Sequence, residues 1–169
     1  YRGLGDFSTA AEYYEKRSGM GGNEAEVFYS LYCLGALQRK LDLSPAIFMK
    51  NLSKAYQCRP TRVEPLFEMA GYCITSGKFF LGYLVAEFAL AVHFPDNPDL
   101  LIESWMYDWG VQLQFFVCAM EIGDYRPAHR ALQNLLSNPN LPTSIRKENE
   151  PRLAELECLL HINNNKEIV

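Results

Sequence analysis

No two of the five cysteines in this 169-residue sequence form a C-x-x-C pair. Cys33, Cys58, Cys73, Cys118 and Cys158 are scattered and odd in number. That argues against a disulfide framework and predicts buried thiols in a reducing compartment. His93, His129 and His161 have no second ligand at helical spacing, so neither a metal nor another cofactor is expected. Long hydrophobic runs are missing too. The longest apolar stretch, from Phe79 to Pro95, falls short of the ~20 residues a bilayer needs and carries Glu87 at its middle. It reads as a buried amphipathic helix, with no membrane span. No basic-then-apolar signal segment opens the chain, which begins at Tyr1, and a cytoplasmic location is expected. An excess of cations is absent as well: 16 Lys plus Arg face 20 Asp plus Glu, for a formal charge of −4. Nucleic-acid binding driven by clustered cations is therefore not expected.

Catalytic signatures are equally scarce. Neither G-x-S-x-G nor H-E-x-x-H occurs. The run from Gly71 to Ser76-Gly77-Lys78-Phe79 resembles a P-loop only superficially. Five residues separate its glycines, and Phe79 stands where Ser or Thr must bind Mg²⁺. With no constellation of nucleophile, base and orienter, this chain is not expected to be an enzyme.

What is present is helical. Of the residues 49% are hydrophobic and 21% charged, an ordinary globular mixture. Val63, Leu66, Phe67, Met69, Ala70 and Cys73 recur at three- and four-residue steps, and after Gly77 the rhythm resumes with Phe79, Tyr83, Ala86 and Ala89. Strand alternation with Asn-Gly or Asp-Gly turns does not occur. Thr61-x-x-Glu64 has capping-box spacing, and Ser44-Pro45 has the form of an N-cap followed by Pro at N1. The fold class is all-α.

The helices also repeat. Helix–turn–helix repeats of about 34 residues place small residues where two helices approach, with Gly and Pro at the turns. Gly77-Lys78-Phe79 followed by Gly82, Ala86 and Ala89 fits that frame, and so does Gly123-Asp124-Tyr125 followed by Ala128 and Leu132. Gly5-Asp6-Phe7 followed by Ala10 and Tyr14 is a third match. Tyr1 then falls inside the first helix of its own repeat, so a longer parent chain is expected. One domain over residues 1–162 is anticipated: a half repeat (1–22), a stretched repeat (23–60) with extra residues around Leu41 to Ser44, and a regular repeat (61–95). A repeat with an insertion (96–141) and a capping helix (142–162) complete it, and 163–169 form a frayed tail. Arg146, Lys147, Glu148, Glu150 and Arg152 are expected on the solvated outer face of the capping helix.

Several segments go beyond generic repeat positions. They are Gly-Asp-Phe and Ala-Ala-Glu-Tyr-Tyr-Glu-Lys-Arg (within 5–17), Glu-Val-Phe-Tyr-Ser-Leu-Tyr (26–32) and Arg-Pro-Thr-Arg-Val-Glu-Pro-Leu-Phe-Glu (59–68). Gly-Lys-Phe with Gly-Tyr (77–83), Tyr-Asp-Trp (107–109) and Gly-Asp-Tyr (123–125) follow in order. Together they resemble the tetratricopeptide-like region downstream of the catalytic domain in certain family 2 glycosyltransferases and related bacterial and viral proteins. The likeness covers roughly residues 5–142. It implies a right-handed α-solenoid of about three and a half repeats plus a capping helix, acting as an interaction or scaffold module of a larger glycosyltransferase-type protein. The partner would be the adjoining transferase domain, or, for a free-standing adaptor, a protein, peptide or helix held in the concave groove. Such transferases bind the sugar-nucleotide diphosphate through a metal at Asp-x-Asp. Asp96-Asn97-Pro98-Asp99 has the wrong spacing for that role.

The same resemblance directs attention to the first-helix positions that line the concave face of such arrays. Here they include Glu26, Tyr29, Glu64, Phe67 and Glu121, a mixed aromatic and acidic lining suited to a neutral ligand or to internal packing. Arg59 and Arg62 flank Pro60-Thr61. Arg62 and Glu64 are expected to form a surface ion pair of little energetic weight, or to orient a neighbour. In the insertion, Asp108 is expected to cap the helix leading to Phe115 while Tyr107 and Trp109 pack beneath it. Tyr107-Asp108-Trp109 is the best local candidate for a functional surface.

Overall fold

A computed structural model describes residues 6–96 and 101–166, with side chains as far as His161. Gly5 of the first repeat match, Asn97-Pro98-Asp99 and residues 167–169 lie outside this range. Among the described residues there are only helices, turns and connecting segments. The order is α1 (Phe7–Gly19), α2 (Glu24–Lys40), α3 (Pro45–Cys58), α4 (Glu64–Thr75) and α5 (Phe79–Leu90). A π turn (Met106–Gly110) then runs into α6 (Val111–Glu121), followed by α7 (Tyr125–Ser137) and α8 (Thr143–Lys166). The chain is all-α.

Local signals start and stop these helices. The Asp6 carboxylate accepts the Thr9 N–H at 3.0 Å and caps α1, and this bond holds its pKa below the ordinary carboxylate value. Asn23 caps α2 by accepting the Ala25 N–H at 2.9 Å. Ser44 precedes Pro45 at the start of α3 as expected, but its hydroxyl makes no capping bond. The capping box at Thr61 is not formed. Glu64 is the first residue of α4, and its carboxylate is turned to Arg62.

One turn recurs three times. After α4, Lys78 N–H reaches the Cys73 carbonyl at 2.8 Å and Gly77 N–H reaches Ile74 at 3.1 Å, with Gly77 at φ +67°. After α6, Asp124 reaches Ala119 at 2.9 Å and Gly123 reaches Met120 at 3.1 Å, with Gly123 at φ +78°. These paired bonds around a left-handed residue are the Schellman stop. The turn after α2 has the same bonds, Leu43 to Gln38 at 3.0 Å and Asp42 to Arg39 at 3.1 Å, but Asp42 holds the left-handed position at φ +55°. The extra length of the stretched repeat lies largely in the helix, since α2 has 17 residues against 12 in α4.

The chain forms two compact units, one with residues up to Met69 plus Val92–Glu103, the other with Ala70–Ala91 plus residues from Ser104 on. The boundary falls inside α4. In the first unit α2 packs against both α1 and α3, burying Phe28, Tyr32, Leu37, Phe48 and Leu52. Gly35 makes the α2–α3 approach possible, because a Cβ there would stand 2.7 Å from Leu52 Cγ. In the second unit α5, α6, α7 and α8 pack in succession around Ala86, Phe116, Ala119, Ala128, Leu132, Leu135 and Leu156. Gly82 is its close-approach residue, with a Cβ position 2.8 Å from Cys118 Sγ and 3.2 Å from Cys73 Cβ.

Several expectations change here. Cys33, Cys73 and Cys118 are buried, and burial pushes the Cys118 pKa up to about 11, so that thiol stays neutral. Cys58 is half-buried, however, and Cys158 is exposed. Helix α5 is not a buried helix. It buries Gly82, Ala86 and Ala89 but leaves Phe80, Leu81, Leu84 and Phe88 in solvent. No helix among the described residues is long and apolar enough to cross a membrane. On α8, Arg146 is no outer-face residue. It donates to the carbonyls of Leu136 and Asn138, ending α7, and Arg152 lies 5.9 Å from the Phe116 ring centre. The backbone of α8 continues helically to Lys166, through residues expected to fray.

Candidate functional site

The first unit contains a hollow of about 440 Å³ between the end of α1 and the start of α2. Tyr13, Tyr14 and Arg17 project from α1, while Asn23, Ala25, Glu26, Tyr29 and Ser30 come from the first turns of α2 and its cap. Leu101 completes the lining. The aromatic rings form an edge-to-face series: Tyr13 to Tyr14 at 5.7 Å and Tyr14 to Tyr29 at 6.2 Å between centroids. Such tyrosines present a large apolar face with a polar tip, the composition favoured where a ligand side chain is taken out of water.

Local charge is balanced. Arg17 pairs with Glu26 and also donates to the Gly21 carbonyl at 2.9 Å. Gly21 and Gly22, at φ +67° and +89°, supply the left-handed turn that brings α2 back beside α1. The Arg17 side chain is 22% exposed and that of Glu26 is 59% exposed, so the carboxylate faces solvent at the rim. A neutral wall with one accessible carboxylate suits an uncharged or donor-bearing ligand better than an anion.

The rim residue Leu101 is held in place from within. Its backbone lies at φ +71°, a left-handed conformation that costs a non-glycine residue roughly 1–2 kcal/mol. Arg62 donates through Nη2 to the Leu101 carbonyl at 3.3 Å. The same guanidinium binds Glu64 through Nε at 3.1 Å and Nη2 at 2.5 Å, and lies 4.7 Å over the Phe28 ring centre. Both partners are buried, their side chains 4% and 0% exposed. Arg62 and Glu64 are therefore not the surface pair expected from the sequence. Glu64 is enclosed in the first unit and cannot line an open groove. The correction has a physical cause: the fork of Arg62 satisfies the carboxylate while Phe28 covers the guanidinium, so burial is tolerated.

The other candidates are spread out. Glu26 and Tyr29 line the hollow. Phe67 is half-buried on α4 and is not among the lining residues. Arg59 is half-buried at the C-cap of α3, where its N–H reaches the Ala55 carbonyl at 3.0 Å. Glu121 is exposed at the last position of α6, in the second unit. Tyr107, Asp108 and Trp109 all lie in the π turn. Asp108 does not cap α6. Its carboxylate accepts from Asn138 Nδ2 at 3.2 Å and Asn140 Nδ2 at 2.8 Å, and its carbonyl accepts from Asn138 at 2.7 Å. It thereby ties the π turn to the α7–α8 connection. Trp109 lies 5.1 Å from Trp105 between ring centroids, tilted by 37°, and packs against the core, and Tyr107 is half-buried. Sequence reasoning missed Tyr13, Tyr14 and Arg17. The available signal was the opposite-charge pair Arg17 and Glu26 across a Gly-Gly turn, flanked by tyrosines on both sides.

Compared with known proteins, the chain matches no family model, no curated protein and no solved structure. Those comparisons do not connect it with glycosyltransferases or with tetratricopeptide repeats.

Proposed function

We propose that the chain is a non-catalytic, tetratricopeptide-like interaction module that takes a peptide segment into the tyrosine-lined hollow. The observation that carries the reading is the hollow of about 440 Å³, with three tyrosines and one accessible carboxylate around it. An apolar or aromatic side chain of the partner would lie among Tyr13, Tyr14 and Tyr29, and a backbone N–H or a basic group would meet Glu26. Leu101, pinned by Arg62, forms the remaining wall. The repeat reading is supported by the threefold recurrence of the Schellman stop and by the burial of Ala10, Gly82, Ala89 and Ala128 at the small-residue positions. The finer architecture, a right-handed α-solenoid of about three and a half helix pairs with a capping helix, belongs to the same proposal.

Two settings follow. On the residue resemblance, the module belongs to a larger protein beside a family 2 glycosyltransferase domain. In the second setting, a free-standing adaptor holds a peptide or helix in the same hollow. A sugar-nucleotide turnover assay on this chain is expected to read zero in either setting.

The test is a selection of displayed random peptides against the wild-type chain, followed by titration of the enriched peptides against variants. Tyr29→Ala should weaken binding about tenfold or more, the loss expected for an aromatic anchor. Glu121→Gln should bind like wild type. Peptides that bind Tyr29→Ala with wild-type affinity would remove the hollow as the site.

A further inference from the structure

Helix α5 has its side chains sorted in an unusual sense. The face pressed into the second unit carries Gly82, Ala86 and Ala89, while the face toward solvent carries Phe80, Leu81, Leu84 and Phe88. These four are 73%, 50%, 60% and 56% exposed. Across Phe79–Leu90 the only acidic or basic residue is Glu87. A solvent-facing helix normally sets its charged residues outward, and a contiguous apolar face of this kind marks an interaction surface.

We propose that this face is the contact between two copies of the chain, packed antiparallel about a twofold axis through Leu84. Three observations select that occupant. First, Phe80, Leu84 and Phe88 stand at four-residue steps and are symmetric about Leu84. Antiparallel pairing places Leu84 against its own copy and Phe80 against the copy's Phe88, twice over. A twofold contact requires such self-complementarity, because residue i must meet j wherever j meets i. Second, the four exposed side chains offer on the order of 500 Å² per copy, given ~150–250 Å² for a whole aromatic residue. Two copies together reach the ~1,000 Å² at which a specific interface becomes plausible. Third, the charge along α5 disfavours a lipid surface, and Lys78 at its N-cap is engaged with Tyr72. Membrane-surface helices carry Lys and Arg beside their apolar face, whereas the charge borne by α5 is the carboxylate of Glu87, which anionic headgroups repel. The contact is independent of the tyrosine-lined hollow, which lies in the other unit.

Sedimentation equilibrium over a range of concentrations tests the proposal. The mass should rise from 19.3 kDa toward twice that value, with a midpoint on the order of 100 µM or tighter. Leu84→Asp places two carboxylates on the axis and should weaken self-association about tenfold or more, with an unchanged far-UV circular dichroism spectrum as the folding control. Phe80→Lys should do the same. The double variant F80K/F88E should regain dimers, because each new ammonium then faces a carboxylate of the other copy. A wild-type mass that stays at 19.3 kDa throughout would overturn the proposal. So would Leu84→Asp dimerising like wild type, a double variant no better than Phe80→Lys alone, or a monomer that co-sediments with phosphatidylcholine–phosphatidylglycerol vesicles.

Discussion

The two units of this chain both bring helices together at a glycine, but they differ in what they enclose and in what they leave exposed. The first encloses a charged pair, Arg62 and Glu64, with Phe28 over the guanidinium, and its tyrosines gather around a hollow. The second encloses Phe116, Leu132, Leu135 and Leu156 together with small residues, Ala70, Gly82, Ala86, Ala119, Ala128 and Ala131, and leaves phenylalanine and leucine on the outer side of α5. Small interior residues let helix axes approach, and the larger side chains of the same helix must then face elsewhere. On α5 that logic leaves an outward apolar face, whereas the first unit leaves a concave tyrosine surface. Exposed hydrophobicity here is thus a consequence of close helix packing and need not signal a defect of the fold.

The comparison breaks most sharply at the buried pair. Glu64→Ala leaves the Arg62 guanidinium enclosed without its carboxylate, and should destabilise the first unit by about 3–5 kcal/mol. Urea unfolding followed by circular dichroism will read this as a lowered midpoint. Replacing both partners, R62M/E64L, should recover much of the loss, because two apolar side chains of similar length carry no desolvation cost. The double variant should still release Leu101, whose carbonyl loses its donor. If Glu64→Ala unfolds with the wild-type midpoint, the pair is not the internal tie that its burial indicates.

A smaller effect tests whether the units share one packing device despite their different interiors. Gly35→Ala would place a Cβ 2.7 Å from Leu52 Cγ, and Gly82→Ala one 2.8 Å from Cys118 Sγ. Both should destabilise by about 1–3 kcal/mol, as overpacked cores do. Pairing each with a smaller neighbour, Leu52→Ala for Gly35 and Cys118→Ala for Gly82, should remove the clash term. A non-additive double-mutant cycle, measured by thermal unfolding, is the expected signature. Additive cycles in both units would mean that the helices separate freely and that close approach is not required.

These residues also mark what could be read in advance. The all-α class, the stops at Gly77 and Gly123, and the small residues at 70, 82, 86 and 128 were legible, because helical period and turn chemistry are local. The burial of Arg62 and Glu64 was not legible. It depends on Phe28 and Leu101, which lie 34 residues before and 39 after Arg62 along the chain. The orientation of α5 was hidden for a different reason. In a helix apolar on nearly all sides the period shows no preferred inner face, and only the fit of Gly82 against Cys73 and Cys118 decides it. Of the candidate site, Glu26 and Tyr29 were found through repeat positions, whereas Tyr13, Tyr14 and Arg17 belong to the helix before the turn. Asp108 was misassigned because its partners, Asn138 and Asn140, follow two whole helices later.

The smallest predicted effect concerns the turn that the two units hold in common. Gly77 and Gly123 occupy the left-handed position without penalty, but Asp42 occupies it at φ +55° with a Cβ. Asp and Asn tolerate this conformation better than other side chains, and glycine tolerates it better still. Asp42→Gly should therefore stabilise the first unit, by no more than about 1 kcal/mol because the freer glycine also gains entropy in the unfolded chain. The converse exchange at the matching stop, Gly77→Asp, should destabilise by a similar amount. Thermal unfolding of the two variants should move the midpoint in opposite directions. Shifts of the same sign would mean that the three turns are alike in hydrogen bonding but not in energetics, and the case for a repeated unit would weaken with them.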